Sequence, residues 1–383
     1  MRHDLFRLTA RPNQNRAPRI AIVTQGDPTD PGAWSGIPVG LSAGLREAGA
    51  EPVPIDARPP AVDRLLGRLR VPWTWETTNR PYSALTGAWA VAAMRRAGGI
   101  DGAVAIGSGF ELKTAVPTAT LEDLTVAQAI GQPFSPASSL RPRAAGRWRE
   151  RQRRSYLQAR GCCTSSHWAA RSVRDDYGID PDKIHVVGFG RNFAPRPGER
   201  DWSVPRYVFV GVEWERKGGP ELLEAFAAVR QVHAAAELDL VGGHPPIEAP
   251  GVTCHGRLAL GSPDQRAQLE RLLSRATCLV VPSHFEAFGI VYVDAGAAGV
   301  PSIGTTEGGA DDAIGAGGVL VPPGNTEALT EAMLHLADPG IARDLGELAI
   351  ANSARFTWRV VAERLLRVLR PPGIDRSQLA EFV

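Results

Sequence analysis

Short apolar runs alternate with amphipathic segments along most of the chain. Each run has the length of a buried strand, and most are followed by a segment with apolar residues at helical spacing. The clearest runs are Arg19–Thr24, Asp101–Gly107, Gly161–Ser166, Arg206–Gly211, Glu237–Val241, Val252–Gly256 and Cys278–Val281. Strands that alternate with helices in this way form parallel sheets covered on both faces. The pattern therefore predicts an α/β protein.

A Pro-rich stretch from Asn192 to Pro205 separates two such series of strands and helices. A chain of 383 residues is long enough for two domains with sizeable cores. We therefore predict an N-terminal domain over residues 1–195 and a C-terminal domain over 196–355. The apolar spacing from Phe356 to Leu369 predicts a further helix within residues 356–383.

Composition excludes several classes of protein. The hydrophobic fraction of 43% and the charged fraction of 22% are ordinary for a globular protein, and a net charge of +2 gives no indication of nucleic acid binding. No apolar run has the length of a membrane span, and the polar N-terminus has no signal-peptide core. The four cysteines lack the spacing of a zinc site or a disulfide framework. We therefore expect a cytoplasmic protein with reduced thiols.

One stretch of the first half is strongly basic. Residues Arg141 to Arg160 include eight arginines, and only Glu150 opposes them. Such runs usually form the solvated face of a helix, and we favour that interpretation. Contact with an anionic acceptor or with a membrane surface is the alternative.

The residues from Cys278 to Gly309 form a strand–loop–helix–strand unit with two acids. Glu286 precedes the helix and Asp294 lies inside it. The start of a helix suits a phosphate, whereas a carboxylate repels phosphate and accepts hydrogen bonds from hydroxyls. The arrangement suggests a ligand with a phosphate in the middle and hydroxyls at both ends, such as a nucleotide sugar. The alternatives are a Glu that only favours the helix dipole and a solvated Asp294.

Cations follow the first strand of the second half. Arg216 and Lys217 lie on a glycine-containing loop after the strand Arg206–Gly211. Ligands of parallel sheets bind beyond the carboxyl ends of the strands, where Glu286 and Gly308 also fall. Fixed cations there would stabilise a leaving phosphate. For Arg216, a solvated loop residue is the alternative.

The first half offers weaker candidates. The strand Arg19–Thr24, the loop from Gln25 to Gly36 and the following helix resemble the start of a Rossmann-like unit, without its GxGxxG fingerprint. Asp123 follows a short strand at Val116–Thr120 and is a candidate cleft residue, with an ordinary helix cap as the alternative.

The motif around Glu286 resembles a known family. Glu286-Ala-Phe-Gly-Ile, with an acid eight positions after the Glu, is similar to the E-x7-E signature of retaining glycosyltransferases of family 4. The segments 165–190, 295–301 and 306–309 resemble the same family. Three residues depart from its pattern: Asp294 replaces a Glu, Val212 replaces an Arg, and Asp123 stands where many members have a His.

The resemblance implies the GT-B fold, in which two Rossmann-like doubly wound domains face a deep cleft and the C-terminal helix crosses back to the N-terminal domain. It also implies transfer of a sugar from a nucleotide-sugar donor to an acceptor hydroxyl, with retention of anomeric configuration. Neither a metal nor a cofactor is expected. The acceptor would be a glycan, a lipid-linked molecule or a small molecule, with peripheral contact at the cytoplasmic face of a membrane as an option.

The resemblance assigns roles residue by residue. Lys217 and Arg216 would neutralise the diphosphate, Glu286 would hold sugar hydroxyls, and Asp123 would face the donor sugar. The donor-binding candidates are Gly36, Gly211, Arg257, Leu258, Ala287, Phe288, Gly289, Ile290, Asp294 and Gly308. Two rival functions stay open: a degenerate, non-catalytic glycosyltransferase partner that binds sugar nucleotides, and a sugar-nucleotide epimerase, although no set of acids and a His suited to elimination stands out.

Overall fold

The computed structural model describes residues 16–69, 78–193 and 200–370 and arranges them as two α/β domains. Each domain contains a six-stranded sheet in which neighbouring strands are parallel. The predicted α/β fold class is confirmed. The predicted boundary between residues 195 and 196 lies outside the described residues.

The N-terminal sheet has the strand order β2-β1-β3-β4-β5-β6. Its strands are β1 (Arg19–Thr24), β2 (Glu51–Asp56), β3 (Gly102–Ile106), β4 (Thr118–Glu122), β5 (Gly161–Thr164) and β6 (Ile184–Val186). The helices of this domain are α1 (Ile37–Glu47), α2 (Pro60–Arg68), α3 (Arg80–Ala97), α4 (Val126–Gly131), α5 (Pro142–Gln158) and α6 (His167–Asp175).

The C-terminal sheet has the strand order β12-β11-β10-β7-β8-β9. Its strands are β7 (Arg206–Gly211), β8 (Glu237–Gly242), β9 (Val252–Gly256), β10 (Cys278–Val280), β11 (Ser302–Thr305) and β12 (Gly318–Val321). The helices are α7 (Gly219–Val232), α8 (Pro263–Arg275), α9 (Ile290–Ala297), α10 (Ala310–Ile314), α11 (Thr326–His335), α12 (Pro339–Ser353) and α13 (Trp358–Leu369).

The apolar runs form strands because helices cover both faces of each sheet. In β1, Ile20 and Ile22 belong to one core cluster, and Ala21 and Val23 to another on the opposite face. All four side chains are buried. This two-sided burial explains why the strands are continuously apolar rather than alternating.

Some elements differ from the prediction. Helix α12 begins at Pro339, with Asp338 as its cap, and was not predicted from the sequence. Helix α2 was likewise not predicted from the sequence.

Helix α13 lies on the N-terminal domain and packs against α1. Its buried face includes Val361 and Leu365, and Arg364 Nη1 donates to the carbonyl oxygen of Val187 at 2.8 Å. The last helix of the described residues is therefore bound to the domain that contains β1. Within the described ranges, no helix combines the length and the apolar character that a membrane span needs.

Candidate active site

An ion pair between Lys217 and Glu286 lies at the carboxyl edge of the C-terminal sheet. Strands β7 and β10 are neighbours, so the loops that follow them lie side by side. The Lys217 ammonium donates to Glu286 Oε2, and Ser283 Oγ donates to the same oxygen at 3.2 Å. Lys217 is 9% exposed and Glu286 is 7% exposed, so the pair is nearly removed from water.

The loop that carries Lys217 reaches this position because of Gly218. Gly218 has φ +72° and precedes α7, where Pro220 occupies the first turn. A Cβ at Gly218 would lie 2.2 Å from the carbonyl oxygen of Pro282. Only glycine therefore lets the loop after β7 approach the loop after β10 closely enough for the ion pair.

Glu286 is held in its charged form. Burial would raise the pKa of this carboxyl, but Lys217 and Arg216, together with the hydrogen bonds from Lys217 and Ser283, lower it below its ordinary value. A buried carboxylate paired in this way is a strong acceptor for ligand hydroxyls, while the remaining donors of Lys217 can meet an anion.

Arg216 is fixed by three contacts. Its Nη1 donates to the carbonyl oxygen of Phe285 at 3.1 Å, its Nε donates to Glu213 at 2.7 Å, and its guanidinium lies 5.0 Å from the Phe285 ring centroid. The side chain is 15% exposed. Arg216 is therefore held in place and largely shielded from water, and its role at the donor stays a prediction. Its charge adds to that of Lys217 beside Glu286.

Asp123 faces this cluster from the other domain. It directly follows β4, and burial raises its pKa to about 6, with a smaller contribution in the same direction from Glu286 and an opposing one from Arg216. The helix-cap alternative is wrong, because Thr125 caps α4 by accepting from the Gln128 N–H. The two sheet edges therefore bring Asp123 and Glu286 to the same cleft.

The predicted helix start after Glu286 has the expected position. Helix α9 begins at Ile290 after Gly289, whose φ is +82°. The Phe288 ring is buried against Phe189 and Phe356, so that its backbone rather than its side chain is available to a ligand. The carbonyl oxygen of Ala287 accepts a hydrogen bond from Ser166 Oγ of the N-terminal domain at 3.4 Å.

Gly308 lies directly against Glu286. The two residues form an isolated parallel bridge, and Gly309 N–H donates to the Glu286 carbonyl oxygen at 2.7 Å. A Cβ at Gly308 would lie 1.9 Å from that oxygen. The loop after β11 therefore supports the backbone of Glu286, a role that the sequence did not indicate.

Asp294 accepts hydrogen bonds from two backbone amides that the sequence did not indicate. Its Oδ1 accepts from the backbone N–H of Asn192 at 2.7 Å and of Phe193 at 3.1 Å. The side chain is 2% exposed, and burial raises its pKa to about 7 although both amides lower it. In this structure Asp294 holds the backbone of Asn192 and Phe193, and its assignment to the donor stays a prediction. Spacing gave no signal for this because the donors are backbone groups about 100 residues away.

The loop before α1 contributes Gly36 and Trp34 to the same region. Asn192 Nδ2 donates to the Ser35 carbonyl oxygen at 3.0 Å, next to Gly36. Trp34 and Ser35 have φ of 51° and 55°, which is unusual for residues with a side chain. The Trp34 ring is 41% exposed and lies over Gly107. Strained residues of this kind cluster at ligand sites.

The remaining donor candidates follow β7 and β9. A Cβ at Gly211 would lie 3.0 Å from the Lys217 side chain, so Gly211 leaves room for that cation. Arg257 and Leu258 follow β9, the outermost strand of this sheet, and the Arg257 guanidinium lies beside Gly243 at the end of β8. Both residues therefore lie at the outermost strand of the sheet, away from its central strands.

Contacts between the domains were not predicted. Asp312 at the start of α10 accepts from the His167 backbone N–H at 2.9 Å, and its other oxygen lies 2.5 Å from His167 Nδ1. The rings of Phe134 and His284 stack at 4.3 Å. These pairs join residues more than 140 positions apart, so no local pattern could identify them. In the described part of the chain, no group of three or more His, Cys, Asp or Glu is placed to hold a metal ion.

Comparisons with known proteins agree with this geometry. The sequence model of the glycosyl transferases group 1 family matches residues 204–338. The chain is 32% identical over 219 residues to a D-inositol 3-phosphate glycosyltransferase of Segniliparus rotundus, with 51% of this chain and 48% of the relative covered. It is 28% identical over 234 residues to an MMP alpha-(1->4)-mannosyltransferase of Mycolicibacterium hassiacum, with 57% and 56% covered.

These relatives are matched over about half of their own length. The sucrose-phosphate synthase of Thermosynechococcus elongatus has a similar structure, with a TM-score of 0.69 at 20% identity over 92% of this chain and 98% of that one. The likeness therefore extends over both domains. The chain therefore has the GT-B fold, and its C-terminal domain is similar to the glycosyl transferases group 1 family.

Proposed function

We propose that the protein is a glycosyltransferase that moves a sugar from a nucleotide-sugar donor to an acceptor hydroxyl. The observation that carries the proposal is the buried pair of Lys217 and Glu286 at the cleft edge of one sheet, with Asp123 opposite on the other. This cluster offers cations for a diphosphate and carboxylates for sugar hydroxyls at one place. Relatives with glycosyltransferase names support the proposal.

The proposed reaction breaks the bond between the anomeric carbon and the diphosphate oxygen and forms a bond from that carbon to the acceptor oxygen. Negative charge grows on the leaving diphosphate, where Lys217 and Arg216 stabilise it. Glu286 and Asp123 accept hydrogen bonds from hydroxyls of the donor sugar and fix its position. The acceptor proton passes to the leaving phosphate, so the charges balance without a protein base.

We further propose retention of anomeric configuration and independence of a divalent metal. Proton transfer to the leaving phosphate requires that the acceptor approach from the leaving-group side, which retains the configuration. The two cations supply the positive charge that a metal supplies in other transferases. Activity should therefore persist in a chelator, and NMR of the product should show the donor's anomeric configuration.

We also propose that the protein works in the cytoplasm. All four cysteines are free and three are buried, which suits a reducing compartment. Contact with a membrane depends on the acceptor and is tested with vesicles below.

A donor screen tests the proposal. Thermal unfolding is measured with UDP-, GDP-, ADP- and dTDP-sugars, because a ligand that binds the folded state raises the midpoint. Release of nucleoside diphosphate is then followed for the sugar that binds. The proposal expects one nucleotide series to bind and to be turned over. Binding without turnover, even with candidate acceptors, would indicate a degenerate partner instead.

A further inference from the structure

A cationic cavity lies between two helices of the N-terminal domain, away from the Lys217–Glu286 pair. Its volume is about 610 Å³, and helix α3, helix α5 and the segment after β3 line it. Six cations contribute to its wall: Arg80, Arg95, Lys113, Arg147, Arg151 and Arg154. Glu111 is the one acid in that lining.

Helical periodicity explains how the basic stretch forms this wall. Arg147, Arg151 and Arg154 follow one another at intervals of four and three, so they share one face of α5. Small residues of α3 face them, including Ala84, Gly87 and Ala88. The small side chains leave open space that the arginines surround. The sequence suggested that the basic stretch is a solvated helix face. In the structure, part of the stretch also forms a cavity wall.

One end of the cavity lies at the carboxyl edge of the N-terminal sheet, the edge that faces the cleft. Helices that cross between parallel strands run against them, so the first turn of α3 and the start of α5 lie at the carboxyl edge of the sheet. Arg80 begins α3, and Arg147 lies in the first half of α5. Arg151 Nε donates to the carbonyl oxygen of Ser108, which follows β3, at 3.1 Å. Strand β4, which carries Asp123 at its end, is the next strand in the sheet.

Most cations of this wall form no ion pair with a described residue. Glu111 accepts from Arg154 Nε at 3.2 Å and from Gln158 Nε2 at 2.8 Å, so that this carboxylate is already neutralised. Within residues 16–69, 78–193 and 200–370, Arg80, Arg95, Lys113 and Arg147 form no ion pair. Like charges held around a cavity repel one another, and a bound anion removes that repulsion.

We propose that this cavity binds the phosphate group of the acceptor, so that the acceptor is a phosphorylated molecule whose hydroxyl reaches the cleft. The inference rests on the proposed glycosyl transfer. Arginine suits phosphate because its planar fork donates two parallel hydrogen bonds. The same chemistry recognises the phosphate of a soluble phosphomonoester and that of a lipid. Leu85 and Leu157 are exposed on the two helices and could contact a lipid, so both sources of the phosphate are tested.

Two probes on the intact protein separate these sources. Binding of myo-inositol 3-phosphate is measured by calorimetry, with myo-inositol as the uncharged match. Sedimentation with phosphatidylcholine vesicles is compared with and without phosphatidic acid. Both are repeated for Arg147→Glu and for Arg153→Glu, which makes the same change on the same helix outside the cavity. Donor-sugar binding is measured for each variant.

The proposal expects at least one phosphate probe to bind better than its uncharged match. Arg147→Glu should weaken that binding about tenfold or more, since it removes a charge-assisted hydrogen bond, while Arg153→Glu should change it less than about twofold. The phosphate probe that binds identifies the soluble or the lipid source.

Equal weakening by both variants, equal binding of the charged and uncharged probes, or binding of neither phosphate probe would overturn the assignment of the cavity. Donor binding should be unchanged in both variants. If the unmodified protein binds no donor sugar, the proposed function is contradicted, whereas the outcomes above contradict only the assignment of the cavity. The two failures can therefore be told apart.

Discussion

Lys217 and Glu286 form a buried ion pair although 69 positions separate them in the chain. They meet because β7 and β10 are adjacent strands and because Gly218 lets one loop approach the other. Neither side chain could be buried alone without a large cost in solvation. The pair is thus both a structural feature of the cleft and the proposed donor site.

Removing one member of this pair should destabilise the protein. Lys217→Met leaves the Glu286 carboxylate buried without its cation, and we expect a loss of about 3–5 kcal/mol in the free energy of unfolding. The double variant Lys217→Met/Glu286→Leu should lose less than the single one, because no charge stays unpaired. Denaturant unfolding of both variants measures this. Equal losses in the two would show that the pair does not interact as described.

The raised pKa of Asp123 predicts that activity falls at acidic pH. Its pKa is raised to about 6, so protonation below that pH removes the hydroxyl acceptor. We expect kcat/KM for the donor to fall about tenfold per pH unit below about pH 6. Asp123→Asn should have low activity at every pH and lose that fall at acidic pH. An unchanged fall in this variant would assign it to another group.

Glu122 predicts a pH dependence of stability. Its carboxyl accepts hydrogen bonds from Gln152 Nε2 at 2.5 Å and from the Tyr156 hydroxyl. Burial raises the pKa of Glu122 to about 8, and the nearby Asp123 contributes a smaller increase. The folded state then binds a proton that the unfolded state has released. Stability is therefore greatest below about pH 4.5 with respect to this group, and it falls as the pH rises to about 8.

Glu122→Gln should remove that contribution. Free energies of unfolding measured from pH 5 to pH 8.5 should decline more steeply in the unmodified protein than in the variant, with the difference levelling off near pH 8. Parallel curves would mean that Glu122 is ionised when folded. Comparison of the two proteins cancels the contribution of Asp294, whose pKa is also raised.

The contacts of Asp294 predict a contrast between two substitutions. Asp294→Ala leaves the Asn192 and Phe193 amides without their acceptor and should cost about 1–3 kcal/mol. Asp294→Asn keeps an oxygen acceptor and should cost clearly less. Thermal unfolding of both distinguishes them. Equal stability of the two variants would show that the hydrogen bonds to the amides contribute nothing measurable.

The strand pattern could be read from the sequence because burial on both faces requires continuous apolar runs. The start of α7 was also predictable, since Pro220 favours the first turn of a helix. Helix α12 was missed although Asp338 and Pro339 are regular start signals. Its buried face consists mostly of small residues such as Ala342, Gly346 and Ala349, which give a weak apolar period.

The positions of Lys217, Glu286 and Gly308 after strand ends followed from the rule that parallel sheets bind ligands there. The sequence could not predict that Arg216 contacts the Phe285 carbonyl oxygen or that Asp294 contacts the Asn192 and Phe193 amides. These backbone groups are distant in sequence from the side chains that they hold. The cavity beside α5 also needed the structure. Arginine spacing shows which residues share a helix face, but only the fold shows that α3 lies opposite.

The central claim is that Lys217 and Glu286 carry out donor chemistry. Single-turnover release of nucleoside diphosphate from the donor found in the screen tests it, using Lys217→Ala, Glu286→Gln and the exposed loop control Glu215→Gln. The account predicts that the first two lower the rate about 100-fold or more, as loss of one charge-stabilising group does elsewhere, while the control keeps it. Near-normal release by folded Lys217→Ala or Glu286→Gln would contradict the account.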